Sequence, residues 1–254
     1  MHKGVVILAT VILVIPFFQN TQAQTIFKDG FENWENRVYY RLPNAWQPNT
    51  FFGLFTGEFG VERTMESYSG NYAIHVYKDS VYGPFRSNLA GSVDFPDTGI
   101  SYTTKVDSVI GFAKYRINPT DSASVRCEFI GSNAQTITES VQYFTGTVNT
   151  YKRFSIPIKW ATGDPKPERL QIKISSAVHS TYGYNSLKID SLHVKGNNPA
   201  IPNGNFEKWN AVASEVPKRW GSLNLFSLLG GSNPSPIVTK SSDSYSGKYA
   251  ARIE

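Results

Sequence analysis

Three short sequence blocks occur twice in this chain, in the same order. The segment DGFENWEN, residues 29–36, is followed by LPNAW and then by ESYSGNYAIHV, residues 66–76. The segment NGNFEKWN, residues 203–210, is followed by VPKRW and then by DSYSGKYAARI, residues 243–253. A recurrence of three ordered blocks indicates a duplication rather than chance.

The interval between the copies is about 175 residues, far longer than the ~20–50-residue period of a solenoid repeat. It is instead the length of a whole domain. We therefore expect one complete domain over residues 24–196 and a short, stiff linker, NNPAIP, over residues 197–202. Residues 203–254 then form the N-terminal part of a second, homologous domain, and we expect further domains after Glu254.

The chain begins with a segment typical of a secretory signal peptide. The basic Lys3 precedes an apolar run over residues 5–18, and small residues ending at Ala23 suit cleavage there. The run is shorter than the ~20 apolar residues that span a bilayer. We expect residues 1–23 to be removed, and the mature protein to be secreted or displayed at the cell surface without a transmembrane anchor.

Charge and cysteine content exclude two further classes of protein, nucleic-acid-binding proteins and disulfide-stabilised domains. The formal net charge is +5, but lysine and arginine are scattered, whereas nucleic-acid binding needs a clustered basic patch. No nucleic-acid partner is expected. A single cysteine, Cys127, rules out a disulfide framework within the chain and a lipid anchor at the cleavage point. Its alternating surroundings, ASVRCEFIG, predict a small buried hydrophobe.

From Gln24 onward the sequence consists of short runs in which apolar and polar residues alternate, bounded by Gly, Asn, Asp and Pro. Examples are SVIGFAKYRI, ASVRCEFIG, TYKRFSIPIKW, RLQIKISSA and SLKIDSLHVK, with NPTDSAS and TGDPKPE as turns. Period-two alternation between turn signals predicts an all-β, antiparallel sandwich.

The ordered blocks resemble the jelly-roll sandwiches of carbohydrate-binding modules and galactose-binding-like domains. That pattern opens with Asn-Gly-x-Phe-Glu and closes with Ile-Asp-Asp-Val, and here SLKIDSLHVKG stands at the close. More closely, SVIGFAKYRINPTDSASVRCEFIG, YKRFSIPIKW and PERLQIKISSA look like the carbohydrate-metabolism domains of secreted, surface-displayed Bacteroidetes proteins. The resemblance covers residues 29–196 and part of 203–254. It implies a jelly-roll fold, glycan binding and a C-terminal surface-sorting domain.

The resemblance also implies a structural calcium ion. In such jelly rolls the glutamate of the opening strand and the aspartate of the closing strand help to hold it, which here are Glu32 and Asp190, with carbonyls of residues 69–72. Ca²⁺ takes about six to eight oxygen ligands. The closing motif reads Ile-Asp-Ser, so one usual carboxylate is missing. The alternative is that Glu32 and Asp190 only accept hydrogen bonds from backbone groups at strand ends.

Sugar sites pair exposed aromatic rings with a few polar side chains. Trp34 and Trp46 recur as Trp209 and Trp220, so a shared packing role is expected for them. The aromatics outside the repeated blocks are better candidates, and Tyr39 and Tyr40 are predicted to lie in a polar loop. The predicted ligand-binding residues are Tyr182, Tyr184, Trp160, Tyr82 and Arg86.

No catalytic pattern is present in the sequence. There is no Gly-x-Ser-x-Gly elbow and no His-Glu-x-x-His helix, although the members of a triad meet only in space. Glu58, Glu62 and Glu66 recur at intervals of four and read as a solvent-facing edge. We predict a secreted, non-catalytic glycan-binding module in a tandem-repeat surface protein. The alternatives are a structural or adhesion spacer without a small ligand and a glycoside hydrolase.

Overall fold

The structure is a computed structural model that describes residues 30–48, 60–78, 92–94, 99–179, 183–196, 199–222, 224 and 235–254. The predicted signal peptide lies outside these residues. Among the described residues, no helix has the length and apolar character that crossing a membrane requires. The strands and their pairings confirm the predicted all-β class, an antiparallel jelly-roll β-sandwich.

The strands, in chain order, are β1 (Trp34–Pro43), β2 (Gln47–Pro48), β3 (Val61–Thr64), β4 (Ala73–Lys78), β5 (Ser92–Asp94), β6 (Ile100–Ser101), β7 (Ser108–Arg116), β8 (Ala123–Ile130), β9 (Thr136–Phe144), β10 (Thr147–Pro157), β11 (Arg169–Ser175), β12 (Asn185–Val194), β13 (Trp209–Pro217), β14 (Val238–Ser241) and β15 (Ala250–Ile253). The first sheet has the spatial order β10-β7-β12-β4-β3. The second has the order β2-β5-β11-β8-β9, with β6 also paired to β11. β1 and β13 form a separate ribbon, and β14 pairs with β15.

The core lies between the two large sheets, because alternate residues of each sheet point toward the other. The first sheet contributes residues that include Ile74, Val76, Val109, Ala113, Leu187 and Ile189. The second contributes residues that include Val125, Cys127, Phe129, Leu170, Ile172 and Ile174. Cys127 is fully buried, and burial raises the pKa of its thiol to about 12. It is therefore the small buried hydrophobe that the sequence predicts.

One end of the core is closed by residues from distant parts of the chain. Phe206 is fully buried and packs on Trp46, with ring centroids 5.2 Å apart. The Leu192 N–H donates to the Gly204 carbonyl at 2.7 Å, and a Cβ on Gly204 would lie only 2.2 Å from the Leu192 oxygen. The segment predicted to open a second domain thus completes this core, while the domain boundary at residues 197–202 stays a prediction.

A buried polar network fixes the opposite end of the sandwich. Asp121 accepts hydrogen bonds from the His179 and Val178 N–H groups at 2.9 and 3.2 Å. Its other oxygen accepts the Asn185 amide at 2.9 Å and lies 3.6 Å from the Lys78 ammonium. Burial raises the pKa of Asp121, but the donated hydrogen bonds outweigh it and hold that pKa below its ordinary value. An ionised carboxylate is therefore part of the folded structure.

We expect Asp121→Ala to lower the free energy of unfolding by about 3–5 kcal/mol, because it removes the carboxylate beside the buried Lys78 ammonium and the acceptor of the His179 N–H and the buried Asn185 amide. Urea unfolding followed by circular dichroism measures the change. Asp121→Asn keeps one acceptor oxygen and is expected to lose less. An Ala variant within about 0.5 kcal/mol of the parent, the range of an ordinary surface change, would contradict this role.

Candidate functional site

A groove lies between β1 and the edge strand β3. Its volume is about 330 Å³. We call it the tyrosine groove, and it is lined by Tyr39, Tyr40, Arg41, Val61, Glu62, Arg63 and Tyr77. Three phenol rings, two guanidinium groups and one carboxylate thus meet in one open cleft. Its size is at the lower end of the ~300–1,000 Å³ range of small-ligand sites.

A β-bulge brings consecutive side chains into this groove. Neighbours on a regular strand point to opposite faces, yet Tyr39, Tyr40 and Arg41 all line the same cleft. The pairing of β1 with β13 shifts register between Val38 and Tyr40, which inserts one extra residue. Such a bulge bends its strand and redirects the side chains beside it.

The two tyrosines of the bulge are held differently. The Tyr39 hydroxyl lies within hydrogen-bond distance of the hydroxyls of Ser214, at 3.1 Å, and Ser222, at 3.3 Å. Burial raises the pKa of Tyr40 to about 12. At neutral pH the Tyr40 phenol therefore stays protonated and can donate as well as accept a hydrogen bond.

Glu62 is oriented by a chain of hydrogen bonds across three strands. Its carboxylate lies 2.7 Å from His75 Nδ1, and His75 Nε2 lies 2.8 Å from the Ser186 hydroxyl. The hydrogen bond from His75 outweighs partial burial and lowers the pKa of Glu62. An ionised Glu62 can only accept, so Nδ1 donates to it and the Ser186 hydroxyl donates to Nε2 when the ring is neutral.

Glu62, His75 and Ser186 have the hydrogen-bond order of a hydrolase triad, but the backbone around them does not suit acyl transfer. A triad needs N–H donors near the serine to stabilise an oxyanion. Ser186 lies on β12, which is paired on both sides, by β4 and by β7. Its neighbouring N–H groups belong to the sheet ladder. The chain of hydrogen bonds therefore positions Glu62 rather than activating Ser186.

The remaining groove residues have local supports. The Arg63 guanidinium lies over the Tyr72 ring, 4.0 Å from its centroid, which fixes its charge at one side of the groove. The rings of Tyr77 and His75 have centroids 5.1 Å apart. The groove thus presents rings and charges that are already placed before any ligand arrives.

Two of the sequence-predicted aromatics, Trp160 and Tyr184, lie among the described residues, and these two are far apart. Trp160 packs against the core, donates to the Val106 carbonyl at 2.8 Å and meets Phe129 edge-on. Tyr184 is 43% exposed and immediately precedes β12. Trp160 lies near the Ser108 end of β7 and Tyr184 near its other end, which at ~3.3 Å per residue are on the order of 25 Å apart. Tyr182, Tyr82 and Arg86 lie outside the described residues.

Glu32 and Asp190 accept hydrogen bonds in two different loops. We call residues 67–72 the first Ser-Gly loop and residues 244–249 the second. Asp190 accepts the N–H groups of Tyr68 and Ser69, at 2.8 and 2.9 Å, in the first loop. Glu32 accepts the Lys248 N–H at 2.9 Å in the second.

This arrangement does not fit a calcium ion held jointly by Glu32 and Asp190, because N–H donors rather than oxygens face each carboxylate. Within the described residues, no group of three or more His, Cys, Asp or Glu side chains is placed to hold a metal ion. Whether the protein binds calcium stays a prediction. The geometry matches the alternative in which both carboxylates satisfy backbone N–H groups.

A smaller groove lies on the outer face of the second sheet. It has a volume of about 200 Å³ and is lined by Arg126, Glu128, Gln171 and Lys173. Arg126 pairs with Glu128 at 3.6 Å and with Glu139. These charges satisfy one another, and the described lining residues offer no aromatic ring. The tyrosine groove is therefore the stronger candidate site.

Comparisons with known proteins give structural neighbours only. No protein-family model and no curated protein matches this chain. A candidate glycoside hydrolase from Bacteroides thetaiotaomicron is 10% identical with a TM-score of 0.47, and the match covers 61% of this chain and 63% of that one. A family 16 carbohydrate-binding module is 13% identical with a TM-score of 0.36, covering 54% and 86%. A family 4 carbohydrate-binding module is 11% identical with a TM-score of 0.35, covering 61% and 96%.

The likeness of this chain to these three structures is weak. All three TM-scores are below 0.5, so what those proteins bind or hydrolyse is not carried over from the likeness. This chain spans less than two thirds of the length of the Bacteroides protein. The fold assignment rests on the sheets described above, and the site on its own geometry.

The sequence predicts some members of the tyrosine groove but not the groove itself. Tyr39 and Tyr40 stand out as aromatics outside the repeated blocks, but the polar loop predicted for them is wrong, because both lie on β1. Glu62 is predicted only as part of a solvent-facing edge. His75 does not belong to a recognised sequence motif. The available signal is that His75 and Glu62 fall in neighbouring strand segments, but their meeting depends on the register of β3 with β4.

We expect His75→Gln to raise the pKa of Glu62 toward 4.5, because the donor that lowers it is weakened. Carboxyl ¹³C NMR titration measures the shift, and Ser186→Ala, which acts only through His75, is the smaller-effect control. The stabilising contribution of a depressed carboxylate is present above its unfolded pKa and is lost as the pH falls through its folded pKa. In His75→Gln that contribution should therefore be smaller at neutral pH, and its loss on acidification should be complete at a higher pH. An unchanged Glu62 titration would contradict the positioning role.

Proposed function

We propose that this protein is a secreted, non-catalytic glycan-binding module and that the tyrosine groove is its sugar site. The observation that carries the proposal is the meeting of Tyr39, Tyr40 and Tyr77 with the oriented carboxylate of Glu62 in one open groove. Sugars present apolar C–H faces and a fringe of hydroxyls. A site for them needs flat aromatic surfaces and both donors and acceptors at close range.

Each group in the groove has a function that suits this ligand class. The phenol rings offer apolar faces for the C–H side of a sugar ring. Glu62, held ionised by His75, accepts hydrogen bonds from sugar hydroxyls, while Arg41 and Arg63 donate them. Because His75 and Tyr72 already hold Glu62 and Arg63, little side-chain entropy is lost when a ligand binds.

The same geometry favours binding over hydrolysis. A glycosidase uses two carboxyl groups about 5–9.5 Å apart on either side of the scissile bond. Glu62 is the one carboxylate among the described residues that line the groove. With an acceptor on one side and guanidinium groups beside it, the groove is equipped to hold a sugar and not to protonate a leaving group.

The proposal includes a surface protein that carries further copies of the module. An open groove of this size is suited to weak binding, and linked copies raise the overall affinity by avidity. The signal peptide predicted from the sequence and the duplicated blocks support this arrangement. The competing function is a spacer without a small ligand, and the following experiment separates the two.

A glycan array screened with the mature chain, in calcium and again in EDTA, is expected to yield a ligand. We expect Tyr77→Ala and Glu62→Gln each to weaken binding of that ligand about 10-fold, the equivalent of ~1.4 kcal/mol, since each removes one preformed contact. Isothermal titration calorimetry measures the affinities. The matched control is Tyr143→Ala, which removes a 55% exposed tyrosine of β9 outside the groove.

Other outcomes would relocate or overturn the site. Binding that survives both groove variants but is lost in Tyr184→Ala, Tyr182→Ala or Trp160→Ala would place the site at the residues first selected from sequence. A folded protein that binds no glycan on the array would favour the spacer. Binding lost in EDTA alone would point to a required metal ion.

A further inference from the structure

The opening segment of each copy is bound by the Ser-Gly loop of the other copy. We call residues 30–36 the first opening and residues 204–210 the second opening. In the structure the second opening contacts the first Ser-Gly loop, and the first opening contacts the second Ser-Gly loop. Neither opening completes the copy that it precedes in the chain.

The contacts of the second opening with the first Ser-Gly loop are specific. Glu207 Oε1 accepts the N–H groups of Asn71 at 2.9 Å and Tyr72 at 3.0 Å. The preceding residue, Phe206, is fully buried in the core against Trp46. The segment is thus held by a carboxylate in a loop and by an aromatic ring in a pocket.

The first opening makes the same contacts with the second Ser-Gly loop. Glu32 Oε1 accepts the N–H groups of Lys248 at 2.9 Å and Tyr249 at 3.3 Å. Phe31 packs on Trp220, with ring centroids 5.0 Å apart. Each of these residues occupies the position that its counterpart occupies at the first loop.

The backbone of the two openings is also the same. Phe31 and Phe206 have φ angles of 54° and 52°, an uncommon conformation for a residue with a side chain. The Trp34 and Trp209 indoles each donate to the carbonyl three residues earlier, at 2.6 and 2.5 Å. β1 and β13 pair about an approximate two-fold axis, because Trp34 faces Pro217 and Pro43 faces Trp209.

The loops are shaped around the incoming carboxylate. A Cβ on Gly70 would lie 2.3 Å from Glu207 Oε1, and one on Gly247 would lie 2.1 Å from Glu32 Oε1. Both glycines have positive φ, at 70° and 80°, which turns successive N–H groups toward one point. Such a concave arrangement of N–H groups binds an anion, and here the anion is supplied by a glutamate from the other copy.

We propose that each Ser-Gly loop is a peptide-binding site whose ligand is a Phe-Glu-x-Trp segment, and that neighbouring copies in one chain exchange these segments reciprocally. The glutamate binds the loop N–H groups, and the phenylalanine fills the adjacent aromatic pocket. The β1–β13 ribbon joins the two exchanged segments. The inference is independent of the proposed sugar site.

A double-mutant cycle on the full chain identifies the glutamate that each loop binds. Gly70→Ala pushes a methyl group against Glu207, so we expect Gly70→Ala and Glu207→Ala to be non-additive in Tm, by at least about 2–4 °C. Gly70→Ala combined with Glu32→Ala is the matched control and should be additive. At the second loop, Gly247→Ala should couple to Glu32→Ala and not to Glu207→Ala.

The reverse pattern, Gly70 coupled to Glu32 and Gly247 to Glu207, would overturn the exchange, because each opening would then complete its own copy. If the glycine variants do not fold, the full chain carrying Phe206→Ala and Glu207→Ala is titrated with the peptide NGNFEKWNAV. Binding with a rise in Tm supports the site, and the control peptide has alanine for Phe and glutamine for Glu. Equal binding of both peptides, or of neither, would overturn it.

Discussion

The capture of carboxylates by backbone N–H groups of the first Ser-Gly loop is the interaction on which the rest of the structure depends. Asp190, fully buried, accepts two of these N–H groups, and Glu207 accepts two more. Burial raises the pKa of Asp190 despite the hydrogen bonds that lower it, so the carboxylate is retained at a cost. The loop it fixes joins β3 to β4, and Glu207 brings Phe206 into the end of the core. A local electrostatic contact therefore determines how two distant parts of the chain close the sandwich.

The tyrosine groove follows from the same contact. β1 lies beside β3, and its partner, β13, begins at Trp209 within the captured second opening. The bulge in β1 then turns Tyr39 and Tyr40 into the groove, and Ser214 on β13 supports the Tyr39 hydroxyl. The seven described residues that line the groove all belong to the first copy, with one wall on β1 and the other on β3 and β4. The second copy supports this wall from outside the groove, through Ser214 and the pairing of β13 with β1.

The sequence predicts the regular parts of this fold well. Alternation in SVIGFAKYRI and RLQIKISSA matches β7 and β11, and the surroundings of Cys127 correctly predict its burial. In these strands the period of two is set by burial on one face, which a single sequence records directly. The resemblance to jelly-roll modules also predicts the closing strand, which is β12. Asp190 accepts backbone hydrogen bonds, which is the alternative to the calcium site considered from the sequence.

The bulge, the strand order and the loop that each opening enters could not be predicted from the sequence. The two openings share Phe, Glu and Trp, so no residue type indicates which loop each one enters. The bulge at Tyr39 breaks the period that would have placed its side chain, and the contact of His75 with Ser186 depends on strand order. Trp160 is a residue type that often contacts sugars, but here it packs against the core and its indole N–H donates to the Val106 carbonyl. Tyr182, Tyr82 and Arg86 stay predictions.

Because Glu32 and Glu207 each bind the loop of the other copy, non-covalent contacts as well as the peptide chain hold the two copies together. Each copy binds a segment of the other through its Ser-Gly loop, so the peptide bonds between residues 196 and 201 are not the only link between the two copies. If a protease cleaved the connection between the copies, the exchanged segments and the β1–β13 ribbon would still hold the two fragments together. The two copies would then separate only when the exchanged segments unfold, and not when the chain between them is cut.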